Sequence, residues 1–280
     1  MEASPSEYSV YSSVQRYDAK KVLDEYAEKI KWRNDGNDTV LDIGCGTGDV
    51  TVEHILSHIP VKFRKLVGVD ISQEMIGYAK RTHERKNISF EVLDIEGDED
   101  DIQRFLVKHP ERFDHVMSFY CLHWVPNQVK AMKNIYNLLK PNGDCLLALL
   151  VKHSIFDIYK ELSKTKWKNL MSSPDDFFAD YHGRENPAAT IVEILTATGF
   201  KNHEVKIYPG KMQFTGYNEI KANVTIINPI WRKMNTEEQR EYLKDYLNVA
   251  ARLGLYKEAS NENESTFSFS YHLLVVYTVK

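Results

Sequence analysis

The chain has 280 residues, of which 42% are hydrophobic, so it is long enough to bury the core of one large domain or two small ones. Its 36 lysines and arginines against 40 aspartates and glutamates give a formal charge of -4 at pH 7. This balance argues against nucleic acid or an anionic membrane surface as a partner, because both favour strongly basic proteins.

The N-terminal segment, residues 1–38, precedes the first long apolar run and is predicted to form a helical cap. Its first residues contain no basic stretch followed by an apolar core, so they do not indicate a secretory signal. No part of the chain approaches about 18 uninterrupted apolar residues, the length of a spanning helix. We therefore expect a cytoplasmic protein that does not insert into a membrane.

Residues 39–150 alternate short apolar runs with helical patterns. The runs are "TVLDI", "KLVGVD", "ISFEVLD", "HVMSFY" and "DCLLALL". After the first run, Val52, Ile55 and Ile59 follow the spacing of a helix that buries one face, and Ser72 is placed to cap the next helix. This alternation is typical of a parallel sheet with helices on both faces, the doubly wound α/β fold of the Rossmann type.

Residues 151–280 show a different pattern. Helical stretches at about residues 151–198 and 216–255 are not needed for the sheet, and we predict that they form a lid over its carboxyl edge. Between them, "HEVKIYPGKMQF" predicts a strand. Apolar residues alternate from Phe267 to Val279, which predicts a last strand that closes the sheet at its edge, antiparallel to the others. The sequence thus predicts seven strands and a helical cap that is integral to the domain.

Three glycines, Gly44, Gly46 and Gly48, lie between the first strand and its helix, where doubly wound folds bind ligands. A dinucleotide-binding loop would have its third glycine three residues after the second. Asp49 stands there instead, and its carboxylate would repel a phosphate at the helix N-terminus. Asp42 makes the loop more acidic. The loop therefore favours a cationic ligand, such as the sulfonium and ammonium groups of S-adenosylmethionine.

Two further aspartates end neighbouring strands of the predicted sheet. Asp70 ends "LVGVD", where a carboxylate can accept hydrogen bonds from both ribose hydroxyls of a nucleoside. Asp94 ends "FEVLD", where it can accept a hydrogen bond from the adenine amino group. Either residue alone is more often a helix cap or a turn former. Together with the glycine loop, they favour one nucleoside site at the carboxyl edge.

The motif "VLDIGCGTG" with Asp70 and Asp94 resembles the first motifs of class I S-adenosylmethionine-dependent methyltransferases, and "SFYCLHW" resembles the end of their fourth strand. "SVQRYDA", "VGVDISQEMIGYA" and "NIYNLLKPNGDCLLALL" extend the resemblance to the juvenile hormone acid methyltransferases of insects. The resemblance implies methyl transfer from S-adenosylmethionine to the carboxylate of juvenile hormone acid or farnesoic acid, without a metal. We assign Ile71, Ile95 and Ser118 to the same cofactor site.

The residues after the fourth strand indicate the type of acceptor. Methyltransferases that act on amines usually have Asn or Asp followed by prolines there, whereas this chain has "SFYCLHW". A carboxylate is ionised at neutral pH, so it needs alignment and loss of water rather than a base. Trp124 and Gln15 are candidate donors to it, and the resemblance places matching residues against the substrate carboxylate. His123 is either a third donor or, for a hydroxyl acceptor, a base.

The covering helices are expected to line a pocket for a long apolar chain. Phe156, Ile226 and Trp231 are the predicted substrate contacts. Further candidates are Ile155, Tyr159, Phe177, Phe178 and Ile227. Any one of them could instead pack the cover onto the sheet. A small polar acid would need an arginine clamp, for which these stretches offer only Arg184 and Arg232.

Several alternatives stay open at this point. The acceptor could be another small apolar carboxylic acid or a hydroxyl, the protein could bind cofactor or hormone without turnover, and an oxidoreductase is disfavoured by Asp49. The chain could act as a monomer or as a homodimer. Cys45, Cys121 and Cys145 lack the paired spacing of a zinc site or a disulfide framework, so we interpret them as reduced thiols and predict no metal site.

Overall fold

The computed structural model describes residues 4–171, 181 and 184–280, so the predicted contacts Phe177 and Phe178 lie outside the described residues. The helices are α1 (Pro5–Tyr11), α2 (Ser13–Tyr26), α3 (Leu56–His58), α4 (Gln73–His83), α5 (Glu99–Lys108), α6 (Gln128–Leu138), α7 (Ser154–Leu162), α8 (Pro187–Thr198), α9 (Tyr217–Ile226) and α10 (Thr236–Arg252). A π-helical turn, Thr51–Ile55, leads into α3. The strands are β1 (Thr39–Ile43), β2 (Lys65–Asp70), β3 (Ile88–Val92), β4 (Phe113–Phe119), β5 (Leu139–His153), β6 (Lys201–Thr215), β7 (Tyr256–Lys257) and β8 (Thr266–Val279).

The strands form one mixed sheet in the order β3-β2-β1-β4-β5-β8-β6. The first five strands are parallel, and β8 is antiparallel to both of its neighbours, as the doubly wound prediction requires. Seven strands follow one another across the sheet, and the two-residue β7 pairs with β8 as an eighth. The prediction of a Rossmann-like sheet with an antiparallel last strand is confirmed.

The position predicted for the last strand is wrong. β8 lies between β5 and β6, so β6 rather than β8 forms the edge of the sheet. The second half of β8 is buried on both faces, with Val275 in one apolar cluster and Leu274 and Val276 in the other. β6 is half exposed and contains Pro209. Proline has no N–H to donate to a neighbouring strand, so it is found mainly in edge strands.

Helices cover both faces of the sheet. Successive residues of β1 point to opposite sides, so Val40 joins one apolar cluster and Leu41 the other. Helices α2, α4, α7 and α10 contribute to the first cluster, and α5, α6 and α8 contribute to the second. The assignment of residues 187–198 to the lid is therefore wrong, because α8 packs on the sheet face with Ile191 and Leu195 buried beside α6.

The cover over the carboxyl edge joins the N-terminal helix to the later insertion. Tyr8 and Tyr11 of α1 pack with Met75 of α4 and with Ile226 and Ile227 at the end of α9. Among the described helices, none is both long and apolar enough to cross a membrane. Ser72 caps α4 as predicted, accepting a hydrogen bond from the backbone N–H of Met75 at 3.3 Å.

A polar cluster closes the opposite, amino edge of the sheet. His115 of β4 lies between the carboxylates of Asp144, 2.8 Å from Nδ1, and Asp38, 3.0 Å from Nε2. The Trp32 ring packs on it with centroids 4.4 Å apart. Burial lowers the pKa of His115, but the two carboxylates outweigh burial and raise the pKa above its ordinary value. This cluster holds the N-terminal segment to the sheet, far from the glycine loop.

Candidate functional site

The glycine loop has a backbone that other residues adopt poorly. Gly44, Gly46 and Gly48 have φ angles of 75°, 54° and 83°. A Cβ atom added to Gly44 would lie 2.2 Å from the Cβ of Cys121, so the loop passes directly against the chain that follows β4. These positive φ angles and this close approach explain why glycine is needed at the turn. Gly44 and Gly46 border a cavity, whereas Gly48 faces the ring of Phe90.

That cavity, which we call the acidic cavity, lies at the carboxyl ends of β1, β2, β3 and β4. Its volume is about 310 Å³, which suits a small-molecule ligand. Its lining includes the predicted cofactor residues Gly44, Gly46, Asp70, Ile71, Asp94 and Ile95. Among the described residues, no Lys, Arg or His lines it. A pyrophosphate would find no basic partner here, and a cationic ligand would meet Asp70 and Asp94.

Asp70 connects the loop to the second strand. Its Oδ2 accepts a hydrogen bond from the backbone N–H of Gly46 at 3.0 Å, and its Oδ1 accepts one from Ser72 at 2.8 Å. Each oxygen keeps a second lone pair for a ligand hydroxyl. Burial raises the pKa of Asp70. Asp94 Oδ1 accepts a hydrogen bond from Glu96 at 2.9 Å, and the side chain of Ile71 is 61% exposed at the cavity wall, where it offers an apolar surface.

The two aspartates of the loop, Asp42 and Asp49, do not line the acidic cavity. Asp42 accepts a hydrogen bond from the Thr51 hydroxyl at 2.6 Å, and burial raises its pKa to about 7, so it is partly protonated at neutral pH. Asp49 accepts from the Thr47 hydroxyl at 2.8 Å and lies 3.1 Å from Nε2 of His83. Both aspartates border a separate cavity of about 20 Å³. The acidic residues on the lining of the larger cavity are Asp70, Asp94 and Glu96.

Ser118, the remaining predicted cofactor residue, does not line the acidic cavity. Its hydroxyl donates a hydrogen bond to the carbonyl of Ile43 at 2.8 Å, inside the sheet. It is 1% exposed. This hydrogen bond connects the end of β4 to the end of β1, so Ser118 helps to hold the strand end from which the glycine loop starts.

A second cavity, which we call the apolar cavity, lies beneath the cover and has a volume of about 60 Å³. The predicted residues on its lining are Gln15, His123, Trp124, Ile155, Phe156, Ile226 and Ile227. Strand β8 adds Phe267, Phe269 and Tyr271. Within the described part of the chain, no charged Asp, Glu, Lys or Arg side chain lines this cavity. An acid bound here would meet hydroxyl, amide, indole and imidazole groups and, among the described residues, no Lys or Arg side chain.

Some predicted contacts lie elsewhere. Trp231 is not on the lining of the apolar cavity, and its ring packs on Tyr242 with centroids 6.4 Å apart. Tyr159 is buried and packs on Tyr246 with centroids 6.1 Å apart. Arg232 pairs with Glu74 at 2.6 Å, which connects the cover to α4. Neither Arg184 nor Arg232 lines the apolar cavity, so neither forms an arginine clamp in this arrangement.

Three aromatic side chains, Tyr8, Tyr120 and Trp124, line both the acidic and the apolar cavity. Tyr120 has a φ of 56°, which turns the chain sharply after β4. Its hydroxyl donates to the buried carboxylate of Asp18, which also accepts from the Tyr271 hydroxyl at 2.8 Å. The two cavities therefore meet at an aromatic junction, and Asp18 holds the hydroxyl of Tyr120.

Sequence reasoning missed Tyr8, Tyr120 and Asp18. Asp18 belongs to the quoted segment "SVQRYDA", and Tyr120 is the third residue of "SFYCLHW". An aromatic residue at such a place is usually interpreted as packing, because nothing in its type separates a cavity wall from a core. The sequence feature that could have identified Asp18 is its position on an otherwise apolar helix face.

The hydrogen bond at His123 bears on the role left open above. The backbone N–H of Leu150 donates to its Nδ1 at 3.4 Å, and the ring is 1% exposed. A nitrogen that accepts a hydrogen bond carries no proton, so the ring proton lies on Nε2. With its proton on Nε2, His123 would donate a hydrogen bond through that nitrogen, and its role as donor or base stays a prediction. Gln15 lines both the apolar cavity and the smaller loop cavity.

Across the described residues, no group of three or more His, Cys, Asp or Glu side chains is placed to hold a metal ion. Cys45, Cys121 and Cys145 form no disulfide. Burial raises the pKa of Cys121 to about 12, so this thiol stays protonated beside the acidic cavity.

Comparison with known proteins identifies the family of the chain. Residues 34–203 match the family model described as a methyltransferase domain. The chain is 37% identical over 276 residues to a juvenile hormone acid O-methyltransferase of Drosophila melanogaster, covering 98% of this chain and 91% of the relative. It is also 37% identical to the enzyme of the same name from Bombyx mori, covering 98% and 96%.

The fold has a counterpart among solved structures. The YcgJ protein of Bacillus subtilis superposes with a TM-score of 0.58 at 16% identity, covering 93% of this chain and 98% of the other. At this identity the likeness concerns the arrangement of strands and helices alone.

Proposed function

The chain belongs to the methyltransferase domain family and is an S-adenosylmethionine-dependent O-methyltransferase, and we propose that its acceptor is the carboxylate of an apolar isoprenoid acid such as juvenile hormone acid or farnesoic acid. One observation carries this proposal. A cavity that no described Asp, Glu, Lys or Arg side chain lines, and that contains Gln15, His123 and Trp124, meets the acidic cavity at Tyr8, Tyr120 and Trp124. An acid bound among neutral donors would thus lie beside the methyl donor.

The acidic cavity supports the binding of the cofactor. S-adenosylmethionine supplies a methyl group on a positively charged sulfur. In this proposal the carboxylate of Asp70 accepts hydrogen bonds from the ribose hydroxyls, and that of Asp94 accepts one from the adenine amino group. Gly44 and Gly46 leave the backbone bare where the methionine part approaches, and the exposed side chain of Ile71 packs against the adenine.

The acceptor side needs orientation rather than acid–base chemistry. A carboxylic acid of ordinary pKa, near 4, is ionised at neutral pH, so its oxygen is already a nucleophile. The Gln15 amide, the Trp124 indole N–H and the Nε2–H of His123 would orient one oxygen towards the sulfonium methyl. Neutral donors suit this role, because a full positive charge would stabilise the carboxylate before reaction as well as in the transition state. Positioning of this kind can supply up to roughly 7–11 kcal/mol of rate enhancement.

A single-turnover assay with methyl-labelled S-adenosylmethionine tests the proposed acceptor. The protein is incubated with farnesoic acid, juvenile hormone acid or a short fatty acid, and the product is then treated with alkali. A carboxyl methyl ester releases labelled methanol, whereas a methyl ether retains the label. We expect methanol from the isoprenoid acids. Stable label would indicate a hydroxyl acceptor, and cofactor binding without any product would indicate a non-catalytic binding protein.

Three further properties are part of the proposal. Activity should survive excess EDTA, because an ionised acceptor needs no metal to activate it. A loss that magnesium restores would contradict this. The cytoplasmic location and the choice between monomer and homodimer stay predictions, to be tested by cell fractionation and by sedimentation of the purified protein.

A further inference from the structure

A further cavity, which we call the side cavity, lies between helix α2 and the strands β6 and β8. Its volume is about 200 Å³, several times the roughly 30 Å³ that one water molecule occupies in the liquid. The buried residues on its lining form a floor of Asp18 and Val22 from α2 with Tyr271 and Leu273 from β8. The floor has room above it for a small organic molecule.

The two oxygens of the Asp18 carboxylate have different surroundings. Oδ2 accepts hydrogen bonds from the hydroxyls of Tyr120 and Tyr271. Oδ1 accepts none from the described residues. The unpartnered carboxylate oxygen of Asp38 is fully enclosed by protein, whereas Oδ1 of Asp18 is not. Asp18 is 7% exposed and lines the side cavity but neither the acidic nor the apolar cavity, so Oδ1 is an unpaired acceptor that faces the side cavity.

The floor of the side cavity sets the chemistry of a ligand. A buried carboxylate oxygen without a donor costs free energy, which a bound donor recovers. Val22 and Leu273 are apolar, and the Tyr271 hydroxyl already donates to Oδ2 of Asp18. The ligand must therefore supply the donor, and an ammonium N–H forms a stronger hydrogen bond to a carboxylate than a neutral group does. The rest of the ligand must be apolar.

The other charged side chains of the side cavity lie at its rim. Lys21, Glu25 and Lys211 line the cavity and are exposed. Nζ of Lys21 lies 5.8 Å from the centroid of the Tyr208 ring, and within the described part of the chain no ion pair joins either lysine to Asp18. Because exposed charges are screened by water and salt, the two lysines repel a cation only weakly. The buried carboxylate therefore decides which charge the cavity accepts.

We propose that the side cavity binds a small primary amine, whose ammonium group donates to Oδ1 of Asp18 and whose apolar part packs on Val22 and Leu273. Such a ligand would also affect methyl transfer, because Oδ2 of Asp18 holds the hydroxyl of Tyr120, and Tyr120 lines both the apolar and the acidic cavity. An ammonium group at Oδ1 draws the negative charge of the carboxylate away from Oδ2 and weakens the hydrogen bond from Tyr120. We expect the bound amine to lower kcat.

Titration calorimetry with phenethylamine tests the binding, and phenethyl alcohol, which has a similar shape without the charge, is the matched ligand. The protein is first saturated with S-adenosylhomocysteine, so that the amine cannot bind in the acidic cavity. We expect the amine to bind at least about tenfold more tightly than the alcohol, as a hydrogen bond to a charged group implies. Asp18→Asn should remove this preference. Glu25→Gln, which removes a carboxylate from the rim of the same cavity, should keep it.

Equal affinities for amine and alcohol in the wild type, or no binding of either, would overturn the inference. A preference for the amine that Asp18→Asn leaves unchanged would overturn it too, since the amine would then lie elsewhere. The comparison of the two ligands on the wild type decides the matter even if Asp18→Asn does not fold.

Steady-state kinetics tests the effect on turnover, which rests on the function proposed above. Inhibition by the amine that lowers kcat and persists at saturating acid and S-adenosylmethionine would support the inference. Inhibition that saturating acid abolishes would place the amine in the apolar cavity and contradict it. Binding without any change in kcat would refute the link through Tyr120. If the protein methylates no isoprenoid acid, the proposed function fails, whereas the calorimetric test of the side cavity keeps its meaning.

Discussion

Gly46→Val tests where the cofactor binds. A Cβ atom at Gly46 would lie 3.7 Å from Cε1 of Tyr8, an ordinary contact, so the side chain finds space. With φ at +54°, the cost to the fold is the strain of a left-handed backbone, roughly 1–2 kcal/mol. The valine methyl groups would occupy the acidic cavity where backbone must approach the cofactor. We expect affinity for S-adenosylhomocysteine to fall at least about a hundredfold, or about 2.8 kcal/mol.

Gly254→Val is the matched control. Gly254 has a φ of +73° and nothing lies within 4 Å of an added Cβ, so this variant carries the same backbone strain at a distance from the site. Thermal denaturation should show similar losses of stability for the two variants, whereas titration calorimetry should show loss of ligand only for Gly46→Val. A folded Gly46→Val protein with wild-type affinity would refute the assignment of the loop to the cofactor.

Three further predictions concern other parts of the molecule. Asp70→Ala should weaken S-adenosylhomocysteine binding by about 1.5–3 kcal/mol, as expected for hydrogen bonds to a charged group, and an unchanged Kd would contradict its ribose role. Gln15→Ala and Trp124→Phe should each lower kcat/KM for the acid by one to a few decades, roughly 1.4 kcal/mol per decade, at constant cofactor affinity. The double variant should lose less transition-state stabilisation than the sum of the two single losses. Full additivity would mean that Gln15 and Trp124 act on different groups. The folded protein raises the pKa of His115, so protonated His115 stabilises the fold. This stability is fully present below the unfolded pKa of about 6.5 and is lost as pH rises through the folded pKa. The free energy of unfolding should therefore fall over that pH window in the wild type and not in His115→Gln.

The nucleoside side of the site could be predicted because strand ends converge. Asp70 and Asp94 end parallel strands, and parallel strands bring their carboxyl ends to one edge of a sheet whatever the details of packing. The structure places both residues on one cavity with Gly44 and Gly46. Asp42 and Asp49 show the limit of the same reasoning. Their hydrogen-bond partners are Thr51, Thr47 and His83, and only the folded backbone brings these side chains into hydrogen-bonding distance.

The order of the last strands was predictable only in part. The alternation in β8 identified a strand, but no pattern within a strand tells which two strands lie beside it. Pro209 in the half-exposed strand β6 was the sequence feature that indicated an edge strand. Similarly, the helical period of α8 could not tell a lid from a sheet-covering helix, because both bury one apolar face.

We propose that the acceptor is an ionised carboxylate held by neutral donors, with no base. The pH dependence of kcat/KM for the acid, measured in wild type and in His123→Gln, tests it most directly. We predict a profile that is flat above about pH 6, because a carboxylic acid with a pKa near 4 is already ionised there, and a modest loss of kcat/KM in the variant with the same profile shape. An acidic limb near pH 6–7 in the wild type that disappears in His123→Gln would contradict the claim, since it would show His123 removing a proton that a carboxylate does not have.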